Sequence, residues 1–239
     1  MALRALIFDV DGTLANTERD GHRPTFNAAF EEVGLDWHWS EKFYGTLLGV
    51  TGGEERIRYY AEKYDPTTLV RPDFEQLVQR IYEIKTRNYQ RLLAAKTIPL
   101  RSEIGHLICE ARTEGVHLAI ASSSKRENIV GLLQANLGPT ADTWFDVIAS
   151  GEDVAAKKPS PDIYLWALEK LGLPARDCLA VEDSAHGLAA SLEAGIPTVV
   201  TVSDYTLNEN FEGARMVRHE TDSLSLDQLR LWHATAGAA

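Results

Sequence analysis

Five short apolar runs constrain this chain more than any other feature: Ala5–Val10, Val116–Ala121, Asp146–Ala149, Cys178–Val181 and Pro197–Val202. None alternates apolar with polar residues, so none reads as a strand with one wet face. A strand that is apolar throughout must be covered on both sides, and a parallel sheet flanked by helices does this. The segments between the runs have helical periodicity. Ile104, Leu107, Ile108 and Ala111 share a face of Glu103–Glu114, and Ile129, Leu132 and Leu133 share one of Arg126–Leu137. Asp162–Leu171 is opened by Ser160-Pro161, and Ala185–Ala194 ends at Gly195, a helix start and a helix stop. Strand and helix alternate from about residue 100 onward. That order predicts an α/β fold with a doubly wound, mostly parallel, Rossmann-like sheet.

Residues 16–95 differ. They hold no strand-like run, and helical patterns recur at Asp20–Val33, Ser40–Leu48, Glu54–Tyr64 and Phe74–Leu93. In the last of these Leu77, Ile81, Ile84 and Tyr89 form a stripe. The expected organisation is therefore an α/β core of residues 1–15 and 96–239, with an α-helical cap domain of residues 16–95 inserted through linkers near Ala15 and Lys96. Residues Ala234–Ala239 are rich in small residues and read as a frayed tail.

Composition narrows the class. No apolar run approaches the ~20 residues of a membrane span, and Asp9 interrupts the N-terminus before a signal-peptide core can form. A cytoplasmic protein with no membrane partner is expected. The formal net charge of −11 argues against nucleic acid as the main partner. Cys109 and Cys178 have no metal-type spacing and suit a reducing compartment.

In an open α/β sheet, ligands bind beyond the carboxyl ends of the strands. Asp9 and Asp11 follow the first run, and Ser122, Ser123 and Ser124 follow the second. The third run is followed by Lys157-Lys158-Pro-Ser-Pro-Asp, and the fourth by Glu182-Asp183-Ser184. In extended chain Asp9 and Asp11 lie on one side, and Gly12 permits a tight turn after them. Crowded carboxylates are tolerable around a divalent cation, and an all-oxygen set suits Mg²⁺. With Asp183 completing such a site, Lys158 and the hydroxyls beside it would suit a bound phosphate. One carboxylate could then attack phosphorus while the other moves protons.

Asp9-Val-Asp-Gly-Thr-Leu, Ser122, Lys158-Pro-Ser-Pro-Asp and Glu182-Asp-Ser-Ala-His-Gly-Leu resemble, in order and separation, the four motifs of the haloacid dehalogenase superfamily of phosphohydrolases. The resemblance implies Asp9 as nucleophile and Asp11 as general acid and base. It implies Mg²⁺ held by Asp9, the Asp11 carbonyl and Asp183, with Glu182 in or near its outer shell, and phosphate held by Ser122, Ser123 and Lys158. The helical insertion is similar to the cap that some members close over their substrate.

The segments Thr17–Arg23, Thr51–Ile57 and Lys85-Thr86 are similar to the CbbY-type branch, which removes phosphate from xylulose-1,5-bisphosphate, an inhibitor of Rubisco. That likeness implies Glu18, His22, Tyr44, Gly52, Gly53 and Lys85 as cap-side substrate contacts, with Ser124 and Lys125 approaching the sugar from the core. Lys85, Arg56 and Arg126 are candidates for a second anion site. Two positions depart from the branch pattern. Glu54 stands where relatives usually carry Lys, and Asn16 stands where many carry an acid. The expected protein is a monomer acting on a small-molecule sugar phosphate. The alternatives are a phosphomutase resembling β-phosphoglucomutase, a phosphoglycolate phosphatase and a non-catalytic sugar-phosphate-binding module.

Overall fold

The computed structural model describes residues 2–50, 52–219 and 224–234. Thr51 of the glycine segment and residues 235–239 of the expected tail lie outside the described residues. The chain divides into two compact units, Thr17–Thr97 and the discontinuous pair Met1–Asn16 with Ile98–Ala239.

Among the described residues the first of these holds helices and no strand: α1 (Arg23–Glu32), α2 (Glu41–Leu47), α3 (Gly53–Tyr64), α4 (Pro66–Leu69) and α5 (Phe74–Ala94). Leu77, Val78, Ile81, Ile84, Tyr89 and Leu93 line the buried stripe of α5, which packs on α1. Phe26, Phe30, Trp37, Trp39 and Tyr44 form an aromatic centre, with the Phe26 and Trp39 rings 4.9 Å apart. Each such buried side chain contributes about 1.5–3 kcal/mol. The Ser40 hydroxyl caps α2 by accepting from Phe43 N, and Asp65 caps α4 by accepting from Thr68 N. The helix expected over Asp20–Val33 is not one uniform element. Glu18–His22 is a π turn closed by Arg23 N on the Glu18 carbonyl, and only then does α1 begin. Pro24 has no N–H to give the Asp20 carbonyl, so a regular α-helical register cannot run through this point.

The second unit is built on β1 (Ala5–Phe8), β2 (His117–Ala121), β3 (Val147–Ala149), β4 (Cys178–Glu182), β5 (Thr198–Thr201) and β6 (Met216–Arg218). Its helices are α6 (Ser102–Thr113), α7 (Arg126–Leu137), α8 (Asp162–Leu171), α9 (Ala185–Glu193) and α10 (Leu226–Ala234). The strands are all parallel in the order β3-β2-β1-β4-β5-β6. Ala5, Ile7, Ala119, Ala121, Cys178 and Ala180 face Ile163, Tyr164 and Ala167 of α8 and Ala190 of α9. Small residues on that face let the helices lie close. The intervening residues, Leu6, Phe8, Leu118, Ile120, Leu179 and Val181, are buried too. Both faces are thus covered, which is why these runs lack alternation. The strand order reverses between β1 and β4, and the crevice beyond their carboxyl ends is where such a sheet binds ligands. No helix among the described residues is long and apolar enough to cross a membrane.

Candidate active site

Asp9 continues β1 by one residue, its N–H donating to the Val181 carbonyl of β4 at 3.0 Å. Glu182 ends β4 and Asp183 follows it. The switch point therefore gathers three buried acids, and one carboxylate oxygen from each lies within 4.8 Å of the others. Lys158 enters from the loop after β3. Its Nζ donates to Asp9 Oδ1 at 2.7 Å and to Glu182 Oε1 at 2.5 Å. Two further side chains brace the cluster. The Tyr164 hydroxyl of α8 donates to Glu182 Oε1 at 2.5 Å, and the Lys158 ammonium lies 5.0 Å from the Tyr164 ring centroid. Ser203, just past β5, lies beside Asp183 and favours its ionised form.

One cation does not balance these acids. Burial, then Glu182 and Asp11, push the Asp9 carboxyl up to about 7 although Lys158 opposes the shift. Burial and then Asp9 and Glu182 raise Asp183 well above the carboxylate range. Burial disfavours the Lys158 charge, but Asp9 and Glu182 outweigh it and hold the ammonium above its ordinary pKa. An all-oxygen, acid-rich, dry cluster short of positive charge fits a hard divalent cation such as Mg²⁺.

The loop after Asp9 is shaped to reach this cluster. Gly12 has φ +90°, and a Cβ there would lie 2.1 Å from Asp183 Oδ2, so both the conformation and the approach require glycine. Leu14 N donates to the Val10 carbonyl and Gly12 N to that of Ala15. Arg101 fastens the turn from below. Its buried guanidinium donates to the carbonyls of Gly12 at 2.8 Å, Thr201 at 3.0 Å and Val202 at 3.3 Å, while its N–H donates to Leu14 O.

The loop after β2 contributes hydroxyls. Ser122 is buried, and its Oγ accepts from Ser124 N at 3.2 Å. The Ser124 hydroxyl donates to Asp11 Oδ2. Ser123 and Lys125 are exposed, Lys125 at the start of α7. Arg126 is committed to Asp153 and to the Ile148 carbonyl, so the geometry does not favour it as a second anion site.

Within the helical unit, the remaining expected residues form two groups. Tyr44 Oη donates to Glu18 Oε2 at 2.6 Å and accepts from Arg56 Nη1 at 2.7 Å. Lys85 Nζ lies 2.9 Å from His22 Nδ1, and the His22 ring stacks on Tyr89 at 4.3 Å. Lys85 is only 8% exposed, and the Phe26 and Tyr89 rings each lie 5.2 Å from its ammonium. Gly52 caps α3 and Gly53 is its first residue. Glu54 is held by Arg58 at 3.0 Å, and Arg58 also binds Glu75.

Sequence reasoning did not single out Tyr164, Ser203 or a site role for Arg101. Ser203 follows the fifth apolar run and was accessible by the strand-end rule. Tyr164 occupies a helix position indistinguishable from core, and Arg101 lies before a helix and not after a strand.

The sequence profile of haloacid dehalogenase-like hydrolases matches residues 6–201. The chain is 48% identical over 215 residues to protein CbbY of Cupriavidus necator, covering 90% of this chain and 84% of that one. It is similar to a CbbY variant from Rhodobacter sphaeroides solved with xylulose-(1,5)bisphosphate, with 41% identity, TM-score 0.79, and 90% and 93% of the two chains covered. A β-phosphoglucomutase from Clostridium difficile shares the fold, with 24% identity, TM-score 0.75 and complete coverage of both chains.

Proposed function

Since the chain belongs to the haloacid dehalogenase-like hydrolase family, as a phosphatase of CbbY type, we propose that it is a Mg²⁺-dependent sugar-phosphate phosphatase working through an aspartyl phosphate, with xylulose-1,5-bisphosphate as its substrate. The observation that carries this is the Asp9 carboxylate, buried at the sheet's switch point, 2.7 Å from Lys158 and grouped with Glu182 and Asp183.

In this mechanism a carboxylate oxygen of Asp9 forms a bond to phosphorus as the ester P–O bond breaks. Asp11, two residues on, gives a proton to the departing sugar oxygen. It then takes one from a water whose oxygen attacks phosphorus, and the bond to Asp9 breaks to release phosphate. Lys158 faces Asp9 and neutralises charge on the transferring group, while Ser122 and the adjoining serine loop supply donors. Asp9, Asp183 and the Asp11 carbonyl, with Glu182 behind them, would hold Mg²⁺. When bound, the ion supplies positive charge against the phosphate and eases the approach of one anion to another.

The substrate assignment draws on the relatives and on the buried Lys85–His22 pair, which suits an anionic group. In this reading Glu18, Tyr44, Gly52 and Gly53 complete the helical unit's substrate contacts, Ser123 joins Ser122 at the phosphate, and Lys125 approaches the sugar from the core loop. Glu54 is compatible with it because Arg58 offsets its charge.

The test is phosphate release from a panel of sugar mono- and bisphosphates. Preference for the pentulose bisphosphate is expected, and equal turnover across the panel would refute the substrate assignment. Isomerisation of β-glucose 1-phosphate without phosphate loss would instead indicate a mutase. Asp9→Asn is expected to abolish phosphate release while leaving the fold intact, as read by circular dichroism. Turnover retained in that variant would falsify the mechanism.

A further inference from the structure

Asp11 is half-buried at the start of a tight turn. A proton-transfer group in such a place must be held in one rotamer, because an unrestrained aspartate samples several and only one presents its oxygen to the reacting atoms. The structure provides a hold. Ser124, after β2 and 113 residues away in sequence, donates its hydroxyl to Asp11 Oδ2.

Ser124 is itself fixed from two directions. Its N–H donates to Ser122 Oγ at 3.2 Å, and its carbonyl accepts from Gly151 N at 2.9 Å. Gly151, after β3, backs onto the serine loop so closely that a Cβ there would lie 2.2 Å from the Ser123 carbonyl oxygen. The Gly151 loop is secured in turn by Ser150, whose N–H and hydroxyl both donate to Asp153 Oδ2, at 2.8 and 2.6 Å. A chain of fixed contacts thus runs from the β3 loop through the β2 loop to the carboxylate that follows β1.

We infer that Ser124 is a positioning residue for Asp11: its hydroxyl, braced by Gly151, orients the carboxylate for proton transfer. The role rests on the assignment of Asp11 as general acid and base, and it differs from a contact to the sugar, which would hold substrate and not the acid. Loss of one hydrogen bond to a charged group predicts about a tenfold fall in kcat for Ser124→Ala, with KM little changed.

The test is a double-mutant cycle on Ser124→Ala and Asp11→Asn, using the best substrate of the sugar-phosphate panel, with thermal unfolding to verify that each variant is folded. Ser124→Thr keeps a hydroxyl and is expected to recover to within about threefold of the parent. In the Asp11→Asn background, Ser124→Ala is expected to cost less than about twofold, because its action passes through the altered group. With p-nitrophenyl phosphate, whose leaving group needs no proton, kcat/KM should fall much less than with the sugar phosphate. A tenfold loss that persists in the Asp11→Asn background, or one confined to KM, overturns the positioning role and leaves a substrate contact. An Asp11→Asn enzyme with undiminished kcat on the sugar phosphate overturns the acid–base assignment instead, whatever Ser124 does.

Discussion

Close approach governs the site at the scale of single residues. Of the three acids that share one crevice, Asp9 accepts from Lys158, and Glu182 accepts from both Lys158 and Tyr164. Breaking such a buried network leaves an uncompensated group. Tyr164→Phe is expected to cost about 1–3 kcal/mol of stability, because Glu182 loses a donor that nothing replaces; urea unfolding measures it, and an unchanged midpoint would show the hydroxyl to be idle. Gly12→Ala is expected to be worse for catalysis than for folding. Its Cβ would overlap Asp183 and strain φ at once, so the turn must shift and carry Asp11 with it. A fall in kcat of tenfold or more, with a smaller change in Mg²⁺-free stability, is the outcome to look for in paired kinetic and unfolding measurements.

At the scale of elements, caps and turns set where the helices begin, and one cap predicts a pH response. Asp65 accepts from Thr67, Thr68 and Trp37, and these hydrogen bonds hold its carboxyl well below the ordinary carboxylate range. A carboxyl depressed in the folded state stabilises fully above its unfolded pKa, and that contribution is lost as pH falls toward the folded value. The helical unit should therefore lose stability below about pH 4, near the ordinary Asp value. Asp65→Ala is expected to cost about 1 kcal/mol at neutral pH and to flatten the acid limb of an unfolding-versus-pH curve. An acid limb of unchanged steepness in the variant would count against this cap.

The same scale explains what the sequence reveals. β1 to β5 are legible because burial on both faces leaves continuous apolar runs, and Arg126–Leu137 and Asp162–Leu171 are legible to the residue because in each the apolar periodicity runs up to a glycine of positive φ, Gly138 and Gly172. β6 is not, because it is three residues at the sheet edge with Met216 and Val217 exposed, and so carries no run. The π turn at Glu18–His22 is hidden because apolar spacing does not record which carbonyl each N–H reaches. Asp9, Asp183 and Lys158 could be placed at one rim by strand-end logic, whereas the Ser124–Asp11 contact depends on loop geometry that no spacing encodes.

At the scale of the whole molecule, the fold concentrates unfavourable charge at the sheet's switch point, so occupancy there must be linked to global stability. Mg²⁺ at a hundred times its dissociation constant is expected to stabilise the protein by about 2.7 kcal/mol, and for a chain of this size that corresponds to roughly 5–10 °C in Tm. Asp183→Asn should abolish most of this response and, lacking one repelling carboxylate, be no less stable than the parent in chelator. A variant whose Tm still rises fully with Mg²⁺ would place the ion elsewhere.

A rapid acid quench of a single turnover tests whether Asp9 carries the phosphoryl group. With substrate labelled in the transferring phosphate, label should appear transiently on the peptide containing Asp9, be released by hydroxylamine as an acyl phosphate is, and be absent from the Asp9→Asn protein. Free phosphate rising from the first milliseconds with no protein-bound label, or label on a peptide lacking Asp9, would contradict it.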